Sequence, residues 1–264
     1  MSALLVLLAL VLAQGMPAPE RPRDPWVFRS VLDDAPRRVI LALDRDLWIA
    51  YDAETCALYK AWKGGVRFEG AVYTSVHGPQ PRSFGTSYTE GIAGPAWSAE
   101  RGGRAVPLRA RYRGHALHGV RASLEYELVL ADGATVTVEE TPEFVRPEWL
   151  FDAEQRAEGD LADGLPGLAR RFVLRGASDD LRIALELRTE GVESKLAPGL
   201  ERERFIDVMD AHGVVTTQCR SSLVLTAAHP VNQVILFFAP LGDPADPNTP
   251  RADHAAPPAP SKDR

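Results

Sequence analysis

The chain is predicted to be all-β, a large antiparallel β-sandwich over residues 26–240, and three observations carry that prediction. Apolar and polar residues alternate with period two through most of the chain. Turn residues interrupt these runs at close spacing. Helical patterning is confined to one short stretch. Period two marks a strand with one face on a core, and ten or more such short runs at close spacing suit two packed sheets. No repeat recurs at a fixed period, which argues against a propeller. At 264 residues, 45% hydrophobic and 25% charged, the chain has enough apolar residues for one large core. A supersandwich of the galactose-mutarotase kind lies within this class.

The elements follow in order. "RRVILAL", "LWIAYD" and "CALYKAW" read as three short strands separated by "DRD" and "AET". In the third, Leu58, Lys60 and Trp62 would share one face and Ala57, Tyr59 and Ala61 the other. Lys63-Gly64-Gly65 is the expected turn, "RFEGAVYTSV" the returning strand, and "HGPQP" its end, because Pro79 and Pro81 cannot continue a central strand. "RARYRG" aligns Arg109, Arg111 and Arg113 on one face. "SLEYELVL" alternates Leu124, Tyr126, Leu128 and Leu130 against Ser123, Glu125 and Glu127. Asp132-Gly133 then supplies turn chemistry and "TVTVEE" returns, which is a strong hairpin signal. "PEWLFDAEQRAEGDLADGL" has room for a turn or two of helix before Gly and Asp stop it. "LRIALELR", a hairpin in "RFIDVMDAHGVVTTQC", "SLVLTA" and "QVILFFAPL" complete the strands.

The ends of the chain speak to compartment. Leu4 to Leu12 is an unbroken apolar run, short of the about 20 residues that span a bilayer. With the small residues Val11 and Ala13 it reads as the core of a signal peptide over residues 1–13, although no Lys or Arg precedes it. A buried N-terminal helix and an uncleaved anchor are the alternatives; no cysteine near Ala13 indicates a lipid anchor. Residues 14–25 form a Pro- and charge-rich linker. Residues 241–264 are Pro-, Ala- and Asp-rich, bury too little apolar surface to offset their ordering entropy, and are expected to be disordered. A periplasmic or secreted protein follows. Cys56 and Cys219 would pair there or remain as buried thiols. Two cysteines exclude a multi-cysteine zinc site or an iron–sulfur cluster, and no Cys-x-x-Cys-His attaches haem. The net charge of −6 offers no global field for nucleic acid. No cofactor is indicated.

The stretch "DPWVFRSVLDDAPRRVILALDRDLWIAYDAETCALYKAWKGGVRFEGAVYTSVHGPQPRSFG", most closely over Trp26 to Gly85, resembles the β-rich domain of exported bacterial proteins that carry c-type cytochrome or glucose/sorbosone-dehydrogenase-like modules. A looser likeness extends through "RARYRGHALHGVRASLEYELVLADGATVTVEETPE" to Glu143. The resemblance implies a periplasmic or cell-surface setting linked to sugar oxidation or polysaccharide metabolism. It implies no catalytic residues. This chain has neither the haem motif nor the second domain of that pattern, so electron transfer would fall to a partner.

The residues point to sugars as ligand. A pyranose offers C–H faces to aromatic rings and hydroxyls to polar groups. Trp48, Tyr51, Trp62, Tyr73, His77 and Gln80 supply such groups close together, with Lys60, Lys63 and Arg67 as donors. Trp62, His77 and Gln80 are expected to border an open concavity, with Tyr59 and Tyr73 in or beside the core. The competing reading is that strand aromatics pack in the core. Arg111 and its neighbours suit an anionic sugar, or else a solvated face paired with Glu125 and Glu127. His77, His115 and His118, with Glu139, Glu140 and Glu143, are the available acid–base groups; their spacing is not diagnostic of a metal. No G-x-S-x-G, H-E-x-x-H, Walker or dinucleotide motif is present. The leading expectation is a non-catalytic module that binds carbohydrate. A carbohydrate-active epimerase, lyase or hydrolase, and a docking subunit for a c-type cytochrome or dehydrogenase partner, are the alternatives.

Overall fold

A computed structural model describes residues 24–68, 80–89, 91, 94–158, 161–187, 192–195 and 221–238. Three antiparallel sheets hold about two thirds of these residues, as an all-β sandwich requires. The first sheet runs in chain order through β1 (Trp26–Leu32), β2 (Ala35–Asp44), β3 (Leu47–Asp52), β4 (Ala57–Arg67) and β5 (Arg82–Thr89). The second has six strands, and its central hairpin is β9 (Arg121–Leu130) with β10 (Thr135–Val145). On one side of the hairpin lies the edge strand β8 (Leu108–His118). On the other are β11 (Gly167–Arg175), β15 (Val231–Phe238) and β13 (Val192–Lys195). The third orders β14 (Ser221–Thr226), β12 (Leu181–Leu187), β6 (Trp97–Arg101) and β7 (Arg104–Val106). The short helices α1 (Pro147–Leu150) and α2 (Ala153–Glu158) lie where the helical stretch is expected. Among the described residues no helix is long and apolar enough to cross a membrane. Both ends of the chain, Tyr73, and the expected hairpin around Ala211-His212-Gly213 lie outside the described residues.

One large core joins all three sheets. Val39, Leu41 and Ile49 meet Leu124, Leu128, Val138 and Phe172 of the six-stranded sheet, together with Ile183, Leu185 and Leu225 of the third. Trp97 ties them together. Its ring lies 6.2 Å from those of Tyr126 and Phe172, and its indole N–H donates to the Cys56 carbonyl at 2.9 Å. Cys56 itself is buried in this core, and burial raises its thiol pKa.

The first sheet is buried on both faces, and this explains why "VILAL" and "LWIAY" are unbroken apolar runs. Odd-numbered Val39, Leu41 and Ile49 face the main core; Ile40, Ala42, Trp48, Ala50 and Trp62 form a second one behind it. The sheet coils around this second core. Phe68, just past β4, brings its ring within 5.4 Å of Phe28 on the far edge strand. The coil is fastened by Asp33 in the β1–β2 turn. Its carboxylate accepts the Ser83 N–H at 2.8 Å, the Ser83 hydroxyl at 2.7 Å and the Lys60 ammonium at 3.0 Å.

Burial pushes the Asp33 pKa up, but the Ser83 and Lys60 hydrogen bonds outweigh it and leave the pKa below the ordinary value. A carboxyl lowered in the folded state contributes stability above its unfolded pKa of about 3.9 and loses it as pH falls through the folded value. Asp33→Asn is therefore expected to cost about 1.5–3 kcal/mol at pH 7 in urea unfolding, with the gap to wild type closing below about pH 3.9. An equal gap at pH 7 and pH 3 would show that the charge on Asp33 contributes nothing.

Two details of the third strand depart from the sequence reading. Lys63-Gly64-Gly65 is no turn: β4 runs straight through it and pairs with β5, Gly64 opposite Gly85. Gly64 (φ +132°) and Gly85 (φ +104°) face each other so closely that a Cβ on either would strike the carbonyl of Phe84 or Lys63. The glycines serve strand approach rather than chain reversal. A register slip beside Ala50 and Tyr51 also moves Tyr59 onto the Trp62 side, while Leu58 joins the main core with Ala57 and Ala61. There the Tyr59 ring lies under the Arg38 guanidinium at 4.0 Å.

Candidate functional site

The expected aromatic site does not assemble. Trp62 is 1% exposed, Trp48 5% and Tyr51 1%. Trp48 and Trp62 are direct cross-strand partners with ring centroids 5.9 Å apart, and the Trp62 indole N–H donates to the Gly65 carbonyl at 2.9 Å. They are core residues of the coiled sheet. Lys60 is buried in the Asp33 fastening. Gln80 is half-buried, and His77 lies outside the described residues. Arg111 is exposed and pairs with Glu127 at 3.6 Å across the strands, which is the solvated-face alternative. Lys63 is exposed and part of a surface network.

Tyr51 belongs to a charged knot inside the main core. Glu140 on β10 is wholly buried, and Arg170 on β11 is 2% exposed. Arg170 grips the carboxylate with Nε at 2.7 Å and Nη2 at 3.1 Å. The Tyr126 hydroxyl donates to Oε2 at 2.9 Å, and the Tyr51 hydroxyl donates to Oε1 from the opposite sheet. All lone-pair sites of the carboxylate are thus engaged. Burial, then the Glu140 charge, pushes both tyrosine hydroxyls well above their ordinary pKa. Glu140 is consequently no open acid–base group, whereas Glu139 and Glu143 lie on the opposite face of the same strand. His115, another acid–base candidate, shares its hydrogen bond with the Tyr112 hydroxyl at 2.9 Å rather than with a carboxylate.

Two accessible features remain; the first was not singled out from the sequence, whereas the second is lined in part by Arg113, His115, His118 and Glu139, which were. The first is Trp149 on α1, 60% exposed. It stands edge-on to Phe144 at 5.5 Å, with the Arg146 guanidinium 6.0 Å from its ring. Pro147 begins the helix, and the Trp149 N–H donates to the Arg146 carbonyl at 3.1 Å, so the chain turns sharply and presents the indole outward. Arg146 is fixed by Asp46 at 2.7 Å and by the Gly164 carbonyl at 3.0 Å. The other oxygen of Asp46 takes the Lys63 ammonium at 2.8 Å. Those two cations hold the Asp46 carboxyl below its ordinary pKa, Lys63 contributing most. An exposed indole thus adjoins a fixed row of arginine, aspartate and lysine.

The second feature is a shallow concavity of about 250 Å³ at the far end of β8, β9 and β10, lined largely by polar side chains. No family model matches the chain, and no curated protein matches it.

Proposed function

We propose that this protein is an exported, non-catalytic β-sandwich module that binds carbohydrate, working beside a periplasmic sugar-oxidising or cytochrome-bearing partner. One observation carries the binding reading: the outward-facing indole of Trp149, braced by Phe144 and Arg146 and continued by Asp46 and Lys63. An exposed aromatic ring takes the C–H face of a pyranose, and fixed charged groups beside it take its hydroxyls. Their rigidity lowers the entropy cost of binding, since Arg146 and Asp46 are already tied to each other. The export and partner parts of the proposal come from the apolar N-terminal run and the family resemblance.

The test is a glycan array with the mature protein, followed by Trp149→Ala. The substitution is expected to weaken the best retained glycan about tenfold, the worth of a good stacking contact. Stability should change by no more than about 0.5 kcal/mol, as for other exposed positions. No retained glycan, or undiminished binding by Trp149→Ala, would remove the reading.

A further inference from the structure

β8 is the outermost strand of the six-stranded sheet and the longest edge strand among the described residues. It has 11 residues, against eight in β5, seven in β1 and six or fewer in β14, β13 and β7. It pairs with β9 from Leu108 to His118. Among the described residues, no backbone hydrogen bond outside that ladder engages residues 108–118. Every second residue of an antiparallel edge strand turns its N–H and C=O away from its neighbour, so β8 presents a row of donors and acceptors along its outer side. The inner face of the sheet is also incomplete here. Tyr126 and Leu128 of β9 are fully buried, whereas their partners on β8, Tyr112 and Ala110, are only half-buried. Leu117, opposite the buried Ala122, is 40% exposed.

The charge of this edge selects what can pair with it. Arg109, Arg111 and Arg113 are exposed, and the strand contains no acidic residue, no lysine and no proline. Arg111 and Arg113 share one carboxylate, that of Glu127 on β9, at 3.6 and 3.9 Å. Both distances exceed the 2.7–2.9 Å or so of a charge-assisted hydrogen bond, so both guanidinium groups keep donors to offer. Arg109 lies opposite Val129 and has no ion pair among the described residues. Arg29 of the edge strand β1, exposed and 5.7 Å from the Tyr112 ring, adds a fourth cation on the inner side. A second copy of β8 laid along this edge would set arginine against arginine, which destabilises a strand pair. The same charge admits a strand that carries carboxylates.

We infer that β8 receives an extended segment of a partner protein in which acidic residues alternate with apolar ones. The segment adds a strand to the six-stranded sheet beyond β8. Its backbone continues the hydrogen-bonded ladder. Successive side chains of a strand point to opposite faces, so one set lies over the arginines and the other over the incomplete core. The carboxylates meet Arg109 and Arg111 on the outer face. The apolar residues cover Ala110, Tyr112 and Leu117 on the inner face. Backbone bonds supply the affinity of such strand addition, and the alternate side chains supply its specificity. None of these residues belongs to the Trp149 patch, and the inference does not rest on the carbohydrate reading.

The test is fluorescence anisotropy of labelled synthetic peptides titrated with the full chain. The probe alternates glutamate with valine; its controls alternate lysine with valine, or scramble the glutamate–valine order. The alternating acidic peptide is expected to bind about tenfold or more tightly than either control, and several-fold more weakly when salt is raised from about 50 to about 500 mM. Two further peptides carry N-methyl groups on every second residue, in the two possible phases. Only one edge of the added strand faces β8, so one phase should lose about tenfold or more and the other should bind like the parent. Arg109→Ser/Arg111→Ser should weaken the acidic peptide about tenfold while melting like wild type. Equal binding of the acidic and basic peptides, or equal effects of the two methylation phases, overturns the inference, and both readouts use the unaltered protein. So does dimerisation of the free chain that acidic peptide fails to reverse, because a second copy would then hold the edge.

Discussion

Arg170→Met is expected to destabilise the protein by about 3–5 kcal/mol, measured from urea unfolding at pH 7. The substitution keeps most of the side-chain volume but strips Glu140 of its two guanidinium hydrogen bonds in a wholly buried place. A lone buried carboxylate must then stay charged without a partner or take up a proton, and both cost free energy. The hydroxyls of Tyr51 and Tyr126 would remain as its only donors. The double variant Glu140→Leu/Arg170→Met should recover much of the loss, because an apolar pair of similar volume avoids desolvating charges. The two tyrosine hydroxyls would still lose their acceptor, so the recovery should be incomplete. A cost for Arg170→Met below about 1 kcal/mol, a surface-pair value, would mean that water reaches the knot.

Trp62→Ala is expected to cost about 3–5 kcal/mol, a large share of the roughly 5–15 kcal/mol that holds a domain together. Its indole fills the second core of the coiled sheet against Trp48, Ile40 and Ala50, and donates to Gly65. Truncation leaves a cavity lined by strands on which the coil depends. Thermal melts of Trp62→Ala and Trp149→Ala make the contrast direct, one tryptophan 1% and the other 60% exposed. Near wild-type stability for Trp62→Ala would show that the second core contributes little, and would reopen the expectation that this residue faces a ligand.

The contrast between these tryptophans shows where sequence reasoning about the site failed. In "LYKAW" Trp62 shares a face with Lys60 and stands just before what reads as a Gly-Gly turn, so it looks accessible. What covers its second face is the coil of the sheet, fastened by Asp33 across fifty residues to Ser83. No local pattern encodes a closure at that separation. Lys60 misled in the same way: a lysine beside aromatics suggests a ligand donor, but its ammonium is consumed by Asp33 and Ser83. Trp149 was passed over because "PEWLF" reads as a helix start rather than a site. Its exposure depends on Arg146 being held by Asp46, one hundred residues earlier.

Other features are legible in the sequence. Alternation placed the β9–β10 hairpin, its Asp132-Gly133 turn and its inward residues Leu124, Tyr126, Val136 and Val138, because period two is set by the strand itself. The same alternation puts Glu140 in phase with Val136 and Val138, and Arg170 in phase with Leu168 and Phe172. A charge in a core phase on two strands is a local signal of a buried ion pair. Which charge meets which, and that two tyrosines from different sheets complete the knot, required the strands to be brought together.

The sequence by itself determined the fold class, most strand positions and which face of each regular strand turns inward, since these depend on backbone geometry and on residues a few positions apart. Tertiary structure decided which aromatics are core and which are surface, which charges are already paired, and where a hollow opens. Those outcomes depend on contacts between strands, some of them far apart in the chain, such as Lys60 with Asp33, 27 positions away, and Arg146 with Asp46, 100 positions away. Burial of a polar or aromatic side chain is a property of what lies across from it, and a strand does not carry that information in its own residues.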